Sequence, residues 1–230
     1  MDVTEIKNQQ LGLILDSFYI CQNCHLVDTD HERCEVGHLC STCGKPSTAG
    51  RSYFNLSVNS LINLMQEFYH VKYEISEEDG LFKIQDADNA KLAVVIFFTS
   101  LREVCMDNFL DEIVYALNLP ANIHERLFAD SPTCSLKMNK LFPSLVGLSW
   151  KKAIDKINKE DQIDYKKVDQ LMKKVADARN NFLHQGTKRA ISNDLPKDCI
   201  KNIWPLLNLF VALHNKFVFP IRNREKEGSL

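Results

Sequence analysis

Ala178-Arg179-Asn180-Asn181-Phe182-Leu183-His184-Gln185-Gly186 closes a run whose apolar residues recur at helical spacing. Val168, Leu171, Val175, Ala178 and Phe182 stand at i, i+3, i+7, i+10 and i+14, on one side of a helix predicted over 164–184. At about 100° per residue, Arg179 falls at the edge of that stripe. Asn180 and His184 fall on the adjoining polar arc, within roughly 140° of the arginine. Gly186 suits the end of the helix, because it takes left-handed backbone without steric cost.

A one-sided helix needs partners, and the flanking sequence supplies them. Residues 89–118 predict a second long helix, apolar on a broad face and ended by Pro120. Within it Arg102 and Glu103 read as surface residues, with burial beside 179–184 as the alternative. Val58 to Tyr69 predict a helix capped by Asn55 or Ser57. Residues 71–88 read as a small hairpin or an irregular acidic connector. Residues 121–158 break into two or three short helices at Pro132, Pro143 and Gly147, the last starting at Trp150 behind a Ser149 cap. Residues 195–219 give a final helix with a kink at Pro205. His70, His124 and His214 read as ordinary helix histidines. The fold class is therefore mainly α, an up-and-down helical bundle.

Charge is unevenly spread. Residues 1–136 hold 9 basic against 20 acidic side chains, a net of −11, whereas 137–230 hold 19 against 10, a net of +9. The basic half either attracts an anionic partner or pairs with the acidic half. Hydrophobic residues make up 45% of the chain, which supports a packed core and argues against disorder. The acidic start has no signal-peptide pattern. The longest clean apolar run, Leu92 to Phe98, is too short to cross a bilayer. A cytoplasmic protein without a membrane segment is expected.

Ahead of the bundle stand Cys21-Gln22-Asn23-Cys24 and, 15 residues on, Cys40-Ser41-Thr42-Cys43-Gly44. Two CxxC knuckles facing each other supply four thiolates for a tetrahedral Zn²⁺ at about 2.3 Å from sulfur. The segment is too polar to build a core alone, so metal binding would supply folding energy. It resembles a zinc ribbon, with one structural zinc per chain; a redox dithiol pair and an unmetallated remnant are the competing readings. Four thiolates leave no open position for water, which argues against a catalytic zinc here. His25, His31, Cys34 and His38 read as loop and hairpin residues, with a second metal site or replacement of one thiolate as the alternative. The divisions are 1–16, an N-terminal helix or leader; 17–57, the ribbon; 58–88, a helix and acidic connector; 89–222, the bundle; and 223–230, a polar tail.

Arg179, Asn180 and His184 are the residue types that phosphodiester cleavage uses. A guanidinium forks onto phosphate, an imidazole moves a proton near neutral pH, and an amide positions either group. Arg179-Asn180-Asn181-Phe182-Leu183-His184 resembles the Arg-x4-His signature of HEPN (higher eukaryotes and prokaryotes nucleotide-binding) domains. The resemblance covers about residues 89–220. It implies a helical bundle that dimerises so that two motifs share one cleft. It also implies a metal-independent endoribonuclease in a defence, toxin–antitoxin or RNA-processing setting. The implied partners are RNA or a nucleotide, a second copy of the chain, and a cognate antitoxin or defence-complex protein. The products would carry 2′,3′-cyclic phosphate and 5′-hydroxyl ends. The competing reading is a non-catalytic zinc-ribbon and bundle module that binds nucleotide, RNA or a partner protein. Residue by residue, Arg179 could instead pair with Asp177, and His184 could serve only as a cation at a helix C-terminus.

Overall fold

Helix α2 (Phe82–Ala116) is apolar almost all round, and a helix of that kind belongs in the middle of a protein. It is 35 residues long, about 50 Å. Phe98, Leu101, Cys105, Met106, Phe109 and Ile113 are fully buried along it. Its mid-helix hydroxyls turn inward without loss, since Thr99 Oγ1 donates to the Val95 carbonyl at 2.9 Å. The computed structural model describes residues 18–28, 39–40, 42–46, 51–73, 82–161, 163–185 and 191–222. The expected helix over 1–16, His31, Cys34, His38, the turn at 77–80, Gly186 and the tail from 223 lie outside them.

Around α2 the chain is mainly helical. Helix α1 (Leu56–Tyr73) starts at Asn55, whose Oδ1 accepts from the Ser57 and Val58 N–H groups at 3.0 and 3.2 Å. Val58, Ile62, Met65 and Tyr69 form its buried stripe against α2. The hairpin expected within 71–88 does not form among the described residues: α1 continues to Tyr73, and Phe82 and Ile84 already belong to α2. No Gly or Pro follows Gly80 to interrupt a helical course, and the long α2 extends through these residues. Its far end is set before Pro120, at Asn118, which takes left-handed backbone (φ 49°). Pro120 instead stands at the N-cap of α3 (Ala121–Ala129).

Pro143 does not break the chain either. Helix α4 (Cys134–Leu136) passes through a π-helical turn at Lys137–Leu141 straight into α5 (Phe142–Val146). The Phe142 N–H reaches back five residues to Lys137, which places Pro143, with no N–H of its own, at the start of the following turn. Gly147, at φ 75°, terminates α5. Ser149 caps α6 (Trp150–Ile157), its Oγ accepting from the Lys152 N–H, as the sequence predicts.

Helix α7 (Tyr165–Gln185) buries Val168, Leu171, Val175 and Ala178 and half-buries Phe182, the stripe read from the sequence. The final helix is two helices. Helices α8 (Asp194–Lys201) and α9 (Ile203–Leu213) meet at Asn202, so the bend expected at Pro205 comes three residues earlier. Pro205 sits in the first turn of α9, where a missing N–H costs no helical bond. Helix α9 ends in a second π-helical turn, His214–Val218.

The N-terminal unit is a small antiparallel sheet in the order β2-β1-β3, with strands Tyr19–Ile20 (β1), Val27–Asp28 (β2) and Arg51–Ser52 (β3). Two-residue strands bury little by themselves. Phe18 and Phe54 meet edge to face at 5.2 Å, and Phe18 also packs on Trp204 at 5.2 Å. Phe18, Ile20, Val27, Tyr53 and Phe54 thereby join the core that α2, α7 and α9 build. No helix among the described residues is long and apolar enough to cross a membrane.

Candidate functional site

Helices α2 and α7 pack together, but their polar flanks diverge towards α4–α6 and leave a cleft of about 740 Å³. Arg102 and Glu103 enter it from α2, Lys173, Arg179 and Asn180 from α7, and Lys151 from the first turn of α6. Arg179 and Asn180 are therefore brought to one cavity. Arg179 makes no ion pair with Asp177 or any other carboxylate among the described residues. Its one hydrogen bond among the described residues is a long 3.4 Å contact from Nη1 to the Asn180 Oδ1. His184 lies on the same flank as Asn180, one turn and about 6 Å further along the axis. It is exposed and does not line the cleft. One chain thus joins two of the three motif residues and leaves the third open beyond the rim. Beside His184, Leu183 is 56% exposed.

Arg102 departs from the sequence expectation. It is only 8% exposed, not a surface residue. Its Nη1 donates to the Met172 carbonyl at 3.2 Å, and its Nε is buried without a partner. The sequence held a signal for this. Phe98, Arg102, Cys105 and Phe109 follow each other at i+4, i+3 and i+4, so Arg102 occupies a core position of α2. The nearby acid Asp169 is satisfied by others: Lys173 at 2.6 Å and the Trp150 indole N–H at 2.8 Å. Cys134 also borders the cleft, but burial raises its thiol, so it is no thiolate nucleophile.

The second site is the thiol cluster. The sulfurs of Cys21, Cys24, Cys40 and Cys43 all lie within 4.8 Å of one another. Cys21 and Cys43 are 3.9 Å apart and Cys24 and Cys40 3.7 Å. A tetrahedron with metal–sulfur bonds of about 2.3 Å has edges of about 3.8 Å, so both distances fit shared ligation and are far too long for disulfides. The two knuckles are built alike. The His25 N–H returns to the Cys21 carbonyl at 2.7 Å and the Gly44 N–H to the Cys40 carbonyl at 2.9 Å. His25 (φ 62°) and Gly44 (φ 64°) each turn left-handed just after the second cysteine. Burial raises the Cys40 thiol, but the Cys43 and Thr42 backbone N–H groups outweigh it and bring it down to about 7. Burial pushes Cys24 up, and its thiol neighbours add to the rise. Four thiolates this close repel each other, and a divalent cation is what relieves that. The set fits a metal ion such as zinc, and His25 stands outside the four-sulfur group.

The cluster is held to the bundle by the π-helical turn that ends α9. His214 Nε2 donates to the His25 carbonyl at 2.9 Å. The Asn215 amide bonds both backbone groups of Val27, accepting at 2.9 Å and donating at 2.8 Å, and so acts as the next strand beyond β2. Burial lowers His214 to about 4, which keeps its ring neutral. His214 is structural, as the sequence suggests. His124 likewise pairs with Asp111 at 2.8 Å, away from the cleft. The role of Asn215 was hidden, since 188 residues separate it from its partner and no local pattern marks such a contact. Set against family models, curated proteins and solved structures, the chain gives no match in any of the three.

Proposed function

We propose that this chain is a metal-independent endoribonuclease of the HEPN type, working as a homodimer. The observation that carries the reading is Arg179. It lines the cleft beside Asn180, in an ion pair with no carboxylate among the described residues, and His184 follows one turn on along the same flank. In the proposed reaction Arg179 forks onto the scissile phosphate. His184 moves the proton, and Asn180 orients one of the two. The ribose 2′-oxygen gives up its proton and bonds to phosphorus as the bond to the 5′-oxygen breaks. That oxygen receives a proton, leaving 2′,3′-cyclic phosphate and 5′-hydroxyl ends. A second copy would bring its own motif to the open rim where His184 stands. The four cysteines would hold one structural Zn²⁺, giving the ribbon rigidity. The proposed setting is the cytoplasm, in defence, toxin–antitoxin control or RNA processing, with a cognate protein as regulator.

RNA incubated with the protein and EDTA tests this. Cleavage should persist without added metal, and Arg179→Ala and His184→Ala should each lower it by at least about 10²-fold. Unaltered cleavage by either variant refutes the residue roles, and a requirement for added Mg²⁺ in protein that still holds its cysteine-bound metal refutes the mechanism. One observation favours a second reading. His184 lies outside the cleft that Arg179 and Asn180 line, as suits a module that binds nucleotide, RNA or a partner protein without cutting. Binding without cleavage across varied RNAs would select it.

A further inference from the structure

Arg102 is a buried cation with a carbonyl for company. Among the described residues no carboxylate pairs with it, its Nε is unpartnered, and it lines the cleft. A buried charge without a counter-ion is strongly unfavourable, and an anion entering the cleft would relieve it. We propose that Arg102 holds a phosphate of a nucleotidyl unit on the floor of the cleft, deeper than Arg179. The site rests on this geometry, and the ribonuclease reading contributes the nature of the anion.

Three further features fit that ligand. The cleft's volume of about 740 Å³ lies in the range of small-ligand sites. Lys151 and Arg179 add positive charge around it against Glu103 and Asp177, whereas Lys173 is engaged by Asp169. Pro143 and Ala176, both half-buried, line the wall and give apolar surface for a base beside the charged floor. The phosphate comes either from a free nucleotide or from a strand whose next phosphate meets Arg179.

Calorimetric titration with adenosine 3′-monophosphate, and with a 2′-O-methyl RNA 12-mer that cannot be cut, tests the assignment. Arg102→Met keeps the stem and removes the charge. It should weaken binding by about 10- to 100-fold, the usual worth of a charge-assisted bond. Arg102→Lys, with charge but no fork, should fall between. Without ligand, the Met variant should melt at the wild-type temperature or above, because an uncompensated charge has gone. Saturation by the nucleotide supports the site with a free ligand; binding of the 12-mer alone supports it with a strand phosphate. Wild-type protein that binds neither probe overturns the inference, as does a Met variant that binds both unchanged. A ligand-free melting temperature lowered by several degrees also overturns it, marking Arg102 as a brace for the Met172 carbonyl. Arg102-dependent binding in a protein that cuts no RNA leaves this inference standing and removes the ribonuclease reading.

Discussion

Acid should weaken the fold through His214, by an amount the structure fixes. Its ring is fully buried, with Nε2–H on the His25 carbonyl and Nδ1 unpartnered, and the Tyr53 ring lies 4.9 Å away. Burial lowers it to about 4, opposed by the His25 carbonyl and by Glu112, while Arg222 acts with burial. Glu112 and Arg222 pair at 2.8 Å, so their effects largely cancel. The unfolded chain takes up this proton below about pH 6.5, and the folded chain refuses it until about 4. The stability tied to neutral His214 is intact above 6.5 and is lost as pH falls to 4. The loss is about 1.4 kcal/mol by pH 5.5 and about 2.5 kcal/mol by pH 4.5. Urea unfolding of wild type and His214→Gln at about pH 7.5, 5.5 and 4.5 measures it. Gln keeps a donor for the carbonyl and does not titrate. Protonation of the thiolates acts on both proteins and drops out of the difference. The wild type should lose ground to the variant by these amounts, and a gap constant within about 0.5 kcal/mol from pH 7.5 to 4.5 refutes the reasoning.

Other perturbations give distinct readouts. Asn215→Ala leaves both backbone groups of Val27 without their outer partners and should cost about 1–3 kcal/mol, with faster amide exchange at Val27. Cys24→Ser should abolish stoichiometric metal binding, seen by elemental analysis, and lower the melting temperature of the helices as well as the ribbon, because they share one core. Gly147→Ala meets no atom within 4 Å, so only the strain of φ 75° remains, and stability should fall by about 1 kcal/mol in thermal unfolding.

The sequence was most legible where a single element decides the matter. The Val168 stripe fixes which side of α7 is buried, and the Ser149 cap fixes where α6 starts, because both are local patterns. The paired CxxC knuckles declare their thiol cluster because each tight turn presents two sulfurs side by side and two such turns supply four. Legibility fails where distant parts of the chain decide. In α2 the apolar residues run nearly all round, so periodicity marks the inside only faintly and leaves Arg102 between surface and burial, which the packing of α7 decides. Pro143 and Pro205 suggest breaks that a π-helical turn and an earlier bend at Asn202 make unnecessary. Arg179 and Asn180 share a cleft as the motif suggests, but the wall opposite them comes from α4–α6, whose packing no short pattern encodes.

The seating of the ribbon on His214 and Asn215 sets a timetable for synthesis. The cysteine knuckles leave the ribosome first, while the turn that receives them is made 188 residues after Val27. At about 5–20 residues per second, that interval is roughly 10–40 s. Until Trp204 is made, Phe18 lacks one of its ring partners, and until Asn215 is made, Val27 lacks its outer bonds. A metal bound by the ribbon's own four thiols would stabilise it before either arrives. The supply of metal to the nascent chain therefore governs whether its first folded piece is ready when its last helix arrives.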